Sequence, residues 1–119
     1  MQAIMKVTHR TATAASGNPV TILAFSGDIS SASKEAVLDA FHDLDGSPSK
    51  VLLDFTAVDY INSSGIAIII QMLLDAGKAG TQSVGIFGLT PHFQKVFTMV
   101  GINKYASLQG DEAAALAAI

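Results

Sequence analysis

The sequence predicts an α/β fold, a mixed sheet of four or five strands with about four helices packed on it. Three observations carry this. Val20–Ser26 and Lys50–Phe55 are short, strongly apolar runs, as expected of strands in the middle of a sheet. After residue 30 such runs alternate with stretches whose apolar residues recur every three or four positions, the helical period. The run at Lys50–Phe55 passes over a short polar turn into an apolar helix and then a further run at Ser83–Phe87. That strand–helix–strand unit implies parallel pairing with a right-handed crossover.

Taken in order, Ala3–Val7 is apolar enough for a first strand, with Lys6 and Thr8 marking it as an edge. Thr11–Pro19 is small and polar, ends in Gly-Asn-Pro and reads as a turn, so the first two strands form an antiparallel hairpin. Ser30 and Ser31 can cap a helix in which Ala36, Val37, Ala40, Phe41 and Leu44 make one apolar stripe; His42 and Asp43 fall on its solvent side. Asp45-Gly46-Ser47-Pro48 is its expected end. The middle helix runs Ser64–Gly77 and is closed by Gly77 and Gly80. Thr90-Pro91 is a hydroxyl cap followed by proline at the first helical position, and Phe93, Val96, Phe97 and Val100 supply that helix's apolar face. Ile102–Leu108 can add a short strand, and Asp111 caps a terminal helix over Glu112–Ile119.

At 119 residues, 50% apolar and 14% charged, the chain is one globular domain spanning residues 1–119. A net charge of −3 without any cluster of Lys or Arg removes the electrostatic footprint of a nucleic-acid-binding surface. The absence of cysteine excludes disulfides, thiolate catalysis and cysteine metal sites. The start, MQAIMKVTHR, has no continuous apolar stretch, and the longest apolar run is far shorter than the ~20 residues of a membrane span. A cytoplasmic location with no membrane insertion is the expectation.

Catalytic patterns are weak. His9, His42 and His92 lie on separate elements without the spacing of a helical metal site, and no phosphate-binding GxxxxGK[ST] loop occurs. Ser63 lacks the flanking glycines of a nucleophile elbow. Asp54 and Asp59 flank the expected turn before the middle helix, where two acids could hold a cation or move a proton. Satisfying backbone amides in that turn is the simpler role for them. No metal, no cofactor and no enzymatic activity are expected.

The most informative stretch is Asn62-Ser63-Ser64-Gly65, where strand gives way to helix. Asn and Ser are strong N-caps because their side-chain oxygens accept from the unpaired amides of the first turn. A phosphate on such a hydroxyl would meet the same donors and the positive end of the helix dipole. Along the helix, Ser64, Ile68, Gln71, Asp75 and Lys78 fall on one narrow stripe whose polar members point it at solvent. Ile68 is then an apolar side chain on that solvent face, one turn beyond the serines, where a partner's apolar anchor would be expected.

A strand, an acidic turn and Asn62-Ser63-Ser64-Gly65 opening an apolar helix are similar to the signature of STAS domains, the fold of anti-anti-sigma factors. Gly27-Asp28-Ile29 resembles the family's Gly-Glu-Leu-Asp-type corner, and Gly85–Gly101 its C-terminal half. The resemblance covers nearly the whole chain. It implies a STAS-type mixed sheet and a bacterial anti-sigma factor antagonist that binds an anti-sigma factor serine kinase. Phosphorylation at Ser63 would weaken that complex and a serine phosphatase would reverse it. The expected partner-binding surface comprises Asn62, Ser63, Ser64, Ile68, Asp28 and Asp59, on a monomer or weak homodimer. The alternative is a phosphorylation-independent scaffold or accessory subunit of a signalling or transport complex. Asn62 favours it, since an amide keeps the cap without the negative charge commoner there in the family.

Overall fold

A computed structural model describes residues 4–44 and 48–119. Five strands form one sheet in sequence order: β1 (Lys6–Thr13), β2 (Pro19–Ile29), β3 (Lys50–Ile61), β4 (Ser83–Phe87) and β5 (Ser107–Gln109). β1 and β2 are antiparallel, and β2 through β5 are parallel. The helices are α1 (Lys34–His42), entered by a single 3-10 turn at Ser31–Ser33, then α2 (Ser63–Lys78), α3 (Pro91–Met99) and α4 (Glu112–Ala118).

Successive parallel strands that step always in one direction, joined by crossovers of one hand, carry their helices to one face. That face holds the larger core, in which Leu23, Phe25, Leu53, Phe55 and Ile86 of the sheet meet Val37 of α1, Ile69 and Met72 of α2 and Phe97 of α3. Phe55 is packed edge-on between Phe25 at 5.2 Å and Phe97 at 6.0 Å. Strand alternation sends Val20, Ile22, Leu52 and Phe87 to the opposite face, where Ala115 of α4 covers them. Arg10 on β1 forks onto Glu112 and holds the start of α4 against the sheet.

Several boundaries differ from the sequence expectation. The first strand is Lys6–Thr13 rather than Ala3–Val7, and residues 1–3 lie outside the described residues. Thr11 to Thr13, read as turn, pair with Thr21 to Pro19, because threonine suits a pleated edge as well as it suits a turn. The turn itself shrinks to a loop in which the Ala14 amide donates to the Asn18 carbonyl at 2.8 Å.

The expected polar turn after Phe55 is strand. β3 continues to Ile61 because β2 also continues, to Ile29, and offers it a partner. Register shifts between Ala24 and Ser26, and between Gly27 and Asp28, place additional β3 residues opposite β2, as bulges do. Finally, the segment Ile102–Leu108 is a 3-10 turn followed by a three-residue β5. α1 ends at His42, and Asp45, Gly46 and Ser47, its expected terminator, lie outside the described residues.

Candidate functional site at the N-terminus of α2

The parallel strands β2 and β3 end together where α2 begins. Asn62 is the N-cap: its backbone is extended, and its side-chain Oδ1 accepts from the Gly65 amide at 2.8 Å. Its own amide donates to the Ile29 carbonyl at 3.2 Å, which fastens the cap to β2. Removing this side chain by Asn62→Ala should cost about 1 kcal/mol, read as a lower urea midpoint with an unchanged slope.

Gly65 explains the fourth position of the motif. A β-carbon there would lie 2.3 Å from the Ile29 carbonyl oxygen and 3.0 Å from Ile61 Cγ2. The first turn of α2 therefore sits directly on β2, and only glycine fits. Ile66 makes the first helical bond, to the Asn62 carbonyl at 3.0 Å. Among the described residues the amides of Ser63 and Ser64 have no acceptor, and both residues are exposed. Among the described residues neither hydroxyl has a hydrogen-bond partner.

The corner at Gly27-Asp28-Ile29 stands beside this turn. Gly27 is buried at φ +84, a conformation that favours glycine. Ser33 Oγ donates to the Asp28 carbonyl at 3.2 Å and accepts from the Ser30 amide at 3.1 Å, pinning the corner to the start of α1. Asp28 is half-buried and pairs in register with Tyr60; Asp59 is exposed. Asn62, Ser63, Ser64, Asp28 and Asp59 thus share one end of the sheet.

Ile68 does not belong to that surface as expected. It is only 7% exposed and joins the main core, with α1 packed alongside α2. The exposed line of α2 runs through Ser64, Ala67, Gln71, Leu74 and Lys78. Asp75 misled the sequence reading. Its carboxylate takes a hydrogen bond from Gln71 at 2.8 Å and faces His42 of α1 at 3.3 Å, so it marks the seam between two helices, not open water. Ile68 forms part of the wall of a shallow groove between α1 and α2 that Lys34, Leu38 and Ser64 also line.

Asp54 and Asp59 are not a pair either. They sit five positions apart on one continuous strand, roughly 16 Å along it, and Asp54 accepts from the Thr56 amide at 2.9 Å. Among the described residues no three His, Asp or Glu come together as a metal site, and no helix is long and apolar enough to cross a membrane.

The sequence reading missed an aromatic group on the same end. Tyr60 is 54% exposed and meets Phe93 of α3 edge-on at 6.2 Å, with His92 packed on Phe93 at 5.1 Å. Strand alternation extended through Ile61 would have set Tyr60 outward; ending the strand at Phe55 hid it.

A mixed five-stranded sheet in this order, carrying four helices, is a STAS-type fold. The family model described as "Mlab, STAS domain" matches residues 11–110, and the chain belongs to the STAS domain family. Solved structures agree on the fold. An anti-sigma factor antagonist from Mycobacterium paratuberculosis is 19% identical with a TM-score of 0.66, over 93% of this chain and 92% of that one. The anti-sigma factor antagonist SpoIIAA in its unphosphorylated form is 11% identical with a TM-score of 0.61, over 90% of both chains. A sulfate transporter family protein from Wolinella succinogenes is 14% identical with a TM-score of 0.68, over 81% of both chains. A search of curated proteins by sequence finds no match.

Proposed function

We propose that this STAS domain is a bacterial anti-sigma factor antagonist that acts in the cytoplasm by binding, without catalysis of its own, and is switched at Ser63. The observation that carries the reading is the free hydroxyl of Ser63 at the first position of α2, exposed and beside two amides without acceptors. In the unphosphorylated state this turn offers a neutral, donor-rich surface to an anti-sigma factor serine kinase. The kinase reaches the hydroxyl without any unfolding, because Gly65 and Asn62, and not the serines, hold the turn to the sheet.

Phosphorylation adds close to two negative charges at this point. Part of that charge is received by the Ser63 and Ser64 amides and the positive end of the α2 dipole. The remainder changes what a docking partner meets: an interface fitted to a hydroxyl must now desolvate a dianion. Asp28 and Asp59, at the same end, add to the repulsion of an acidic partner group. A serine phosphatase reverses the change. The domain works as a monomer or weak homodimer in this scheme.

Affinity for the cognate kinase tests the interface. Ser63→Glu is expected to weaken binding at least about tenfold, the effect of one desolvated charge of ~1.4 kcal/mol, while Ser63→Ala binds like wild type and takes no phosphate. If both variants bind as wild type does, the interface is elsewhere.

The second reading is a scaffold or accessory subunit that binds without phosphorylation. Asn62 supports it: the amide caps Gly65 as well as a carboxylate would and contributes no charge next to Ser63. The sulfate transporter family neighbour is compatible with a transport setting. Under this reading Ser63 stays unmodified and the same turn docks constitutively.

A further inference from the structure

The sheet has one long open edge. β1 is an outer strand of eight residues, paired to β2 without a register shift and with no strand on its other side. In an antiparallel pair every second residue turns its N–H and C=O away from the partner strand. Among the described residues no hydrogen bond joins the backbone of β1 to any segment other than β2. The opposite edge, β5, is only three residues long. Natural sheets protect an outer strand by shortening it, bulging it, covering it, or planting proline or lysine along it. β1 has a lysine at its first residue only, and Arg10 is drawn off over the sheet face to Glu112 of α4. The ladder from Val7 to Thr13 stays open.

A groove runs along this edge on the α1 side. Val7 packs against the main core, and His9 pairs in register with Leu23 of that core, so Val7, His9 and Thr11 share the face that α1 covers. α1 lies alongside β1. His9 and Thr11 line the groove from the strand, and Asp39, Asp43 and Leu44 line it from α1 and its C-terminal end. Asp39 and Asp43 stand one helical turn apart and are exposed, and among the described residues neither has an ion pair. Strand alternation sends Lys6, Thr8 and Arg10 to the other face, where Arg10 meets Ile22 in register and Glu112 from α4. The two faces of the edge therefore differ in charge, carboxylates on the α1 side and cations on the α4 side.

A strand added to β1 would lie about 4.8 Å beyond it, take up its free N–H and C=O groups, and turn alternate side chains into the groove. Those side chains meet Asp39 and Asp43 and are best matched by lysine or arginine. The residues between them face Lys6 and Arg10, so neutral or acidic ones fit there. A second copy of β1 is a poor occupant. Symmetric pairing would bring the carboxylates of two α1 helices to one seam, with no cation there except the two copies of His9 when protonated. We propose that β1 accepts, by strand addition, an extended segment of a protein partner that carries basic side chains at alternate positions. This goes beyond the switch at Ser63, because β2 separates β1 from β3 and the head of α2. Main-chain hydrogen bonds hold the segment, and the α1 carboxylates select its charge and which of its faces turns inward.

The edge can be read with a model strand. The intact isotope-labelled domain is titrated with a blocked seven-residue peptide of alternating threonine and lysine, following amide shifts and amide hydrogen exchange. Two control peptides carry glutamate in place of lysine, or proline in place of threonine, the latter unable to pair as a strand. The basic peptide is expected to shift the β1 signals saturably in the millimolar range and to slow exchange at every second β1 amide. It should bind about fivefold more tightly than the acidic peptide, and the proline peptide should leave β1 unchanged. Asp39→Asn combined with Asp43→Asn should cut the charge preference to less than about twofold while the β1 signals still respond. Both sites are exposed, and unchanged spectra elsewhere in the double variant show that its fold is intact. No saturable β1 response to the basic peptide, equal binding of the proline or acidic peptide, or shifts confined to other surfaces would overturn the proposal. Slowed β1 exchange that grows with protein concentration alone, with a doubled mass in sedimentation, would overturn it in favour of a second copy. Ser63→Glu should leave every one of these readouts unchanged, so the edge and the switch stand or fall separately.

Discussion

Replacing Gly65 by alanine is expected to lower the unfolding free energy by about 3 kcal/mol, although alanine is the better helix former by about 1 kcal/mol. The sign follows from what the new methyl group meets. A β-carbon at Gly65 would stand 2.3 Å from the Ile29 carbonyl oxygen and 2.8 Å from its carbon, both backbone atoms of a central strand that cannot swing aside. Relief requires α2 to lift off β2, which loosens the Asn62 amide from Ile29 and opens the core beneath Ile69 and Met72. Gly77, in the last turn of the same helix, is the matched control. Nothing lies within 4 Å of its β-carbon position, so Gly77→Ala should stabilise by about 0.5–1 kcal/mol. Urea unfolding of the two variants against wild type checks both signs. Two shifts in the same direction would mean that the seat of α2 on the sheet is misdescribed.

Ile68→Asp is expected to cost about 4 kcal/mol or to unfold the domain, since it places an unpaired carboxylate in the main core between α1 and α2. Ala67→Asp, one residue earlier and exposed, should stay within about 0.5 kcal/mol of wild type. This reverses what the sequence suggests for Ile68. Thermal unfolding separates the positions: a near-native melt for Ile68→Asp would return that residue to the surface.

Where local chemistry dictates structure, sequence and structure agree closely. Thr90 caps α3 by accepting from the Phe93 amide, with Pro91 at the first helical position. Asp111 caps α4 through the Ala114 amide, and β4 occupies Ser83–Phe87 as its apolar run indicates. These are decided within a few residues. The disagreements all involve a distant partner. β3 could be followed beyond Phe55 only by knowing that β2 continues beside it, because Ala57 and Asp59 are poor strand formers on their own. The facing of α2 depends on where α1 docks. Ala67 and Ile68 are 100° apart on the helix, and Asp75, used to point the stripe at water, is engaged by His42 across the helix seam.

The candidate site divides the same way. Asn62 as cap is legible because capping is local, although the helix opens at Ser63, one residue before the Ser64 start that the sequence suggests. The need for glycine at Gly65 is legible as a motif, but its cause, the Ile29 carbonyl, is not local at all. Tyr60 and Phe93 come from different elements and meet only once α3 is in place.

The central claim, that Ser63 is the regulated residue of a partner interface, is tested most directly by intact mass. Wild type, Ser63→Ala and Ser64→Ala are each incubated with ATP and the cognate anti-sigma factor serine kinase. The account predicts one added phosphate on wild type and on Ser64→Ala, and none on Ser63→Ala. A phosphate that persists in Ser63→Ala, or a wild type that takes none while still binding the kinase tightly, would contradict it.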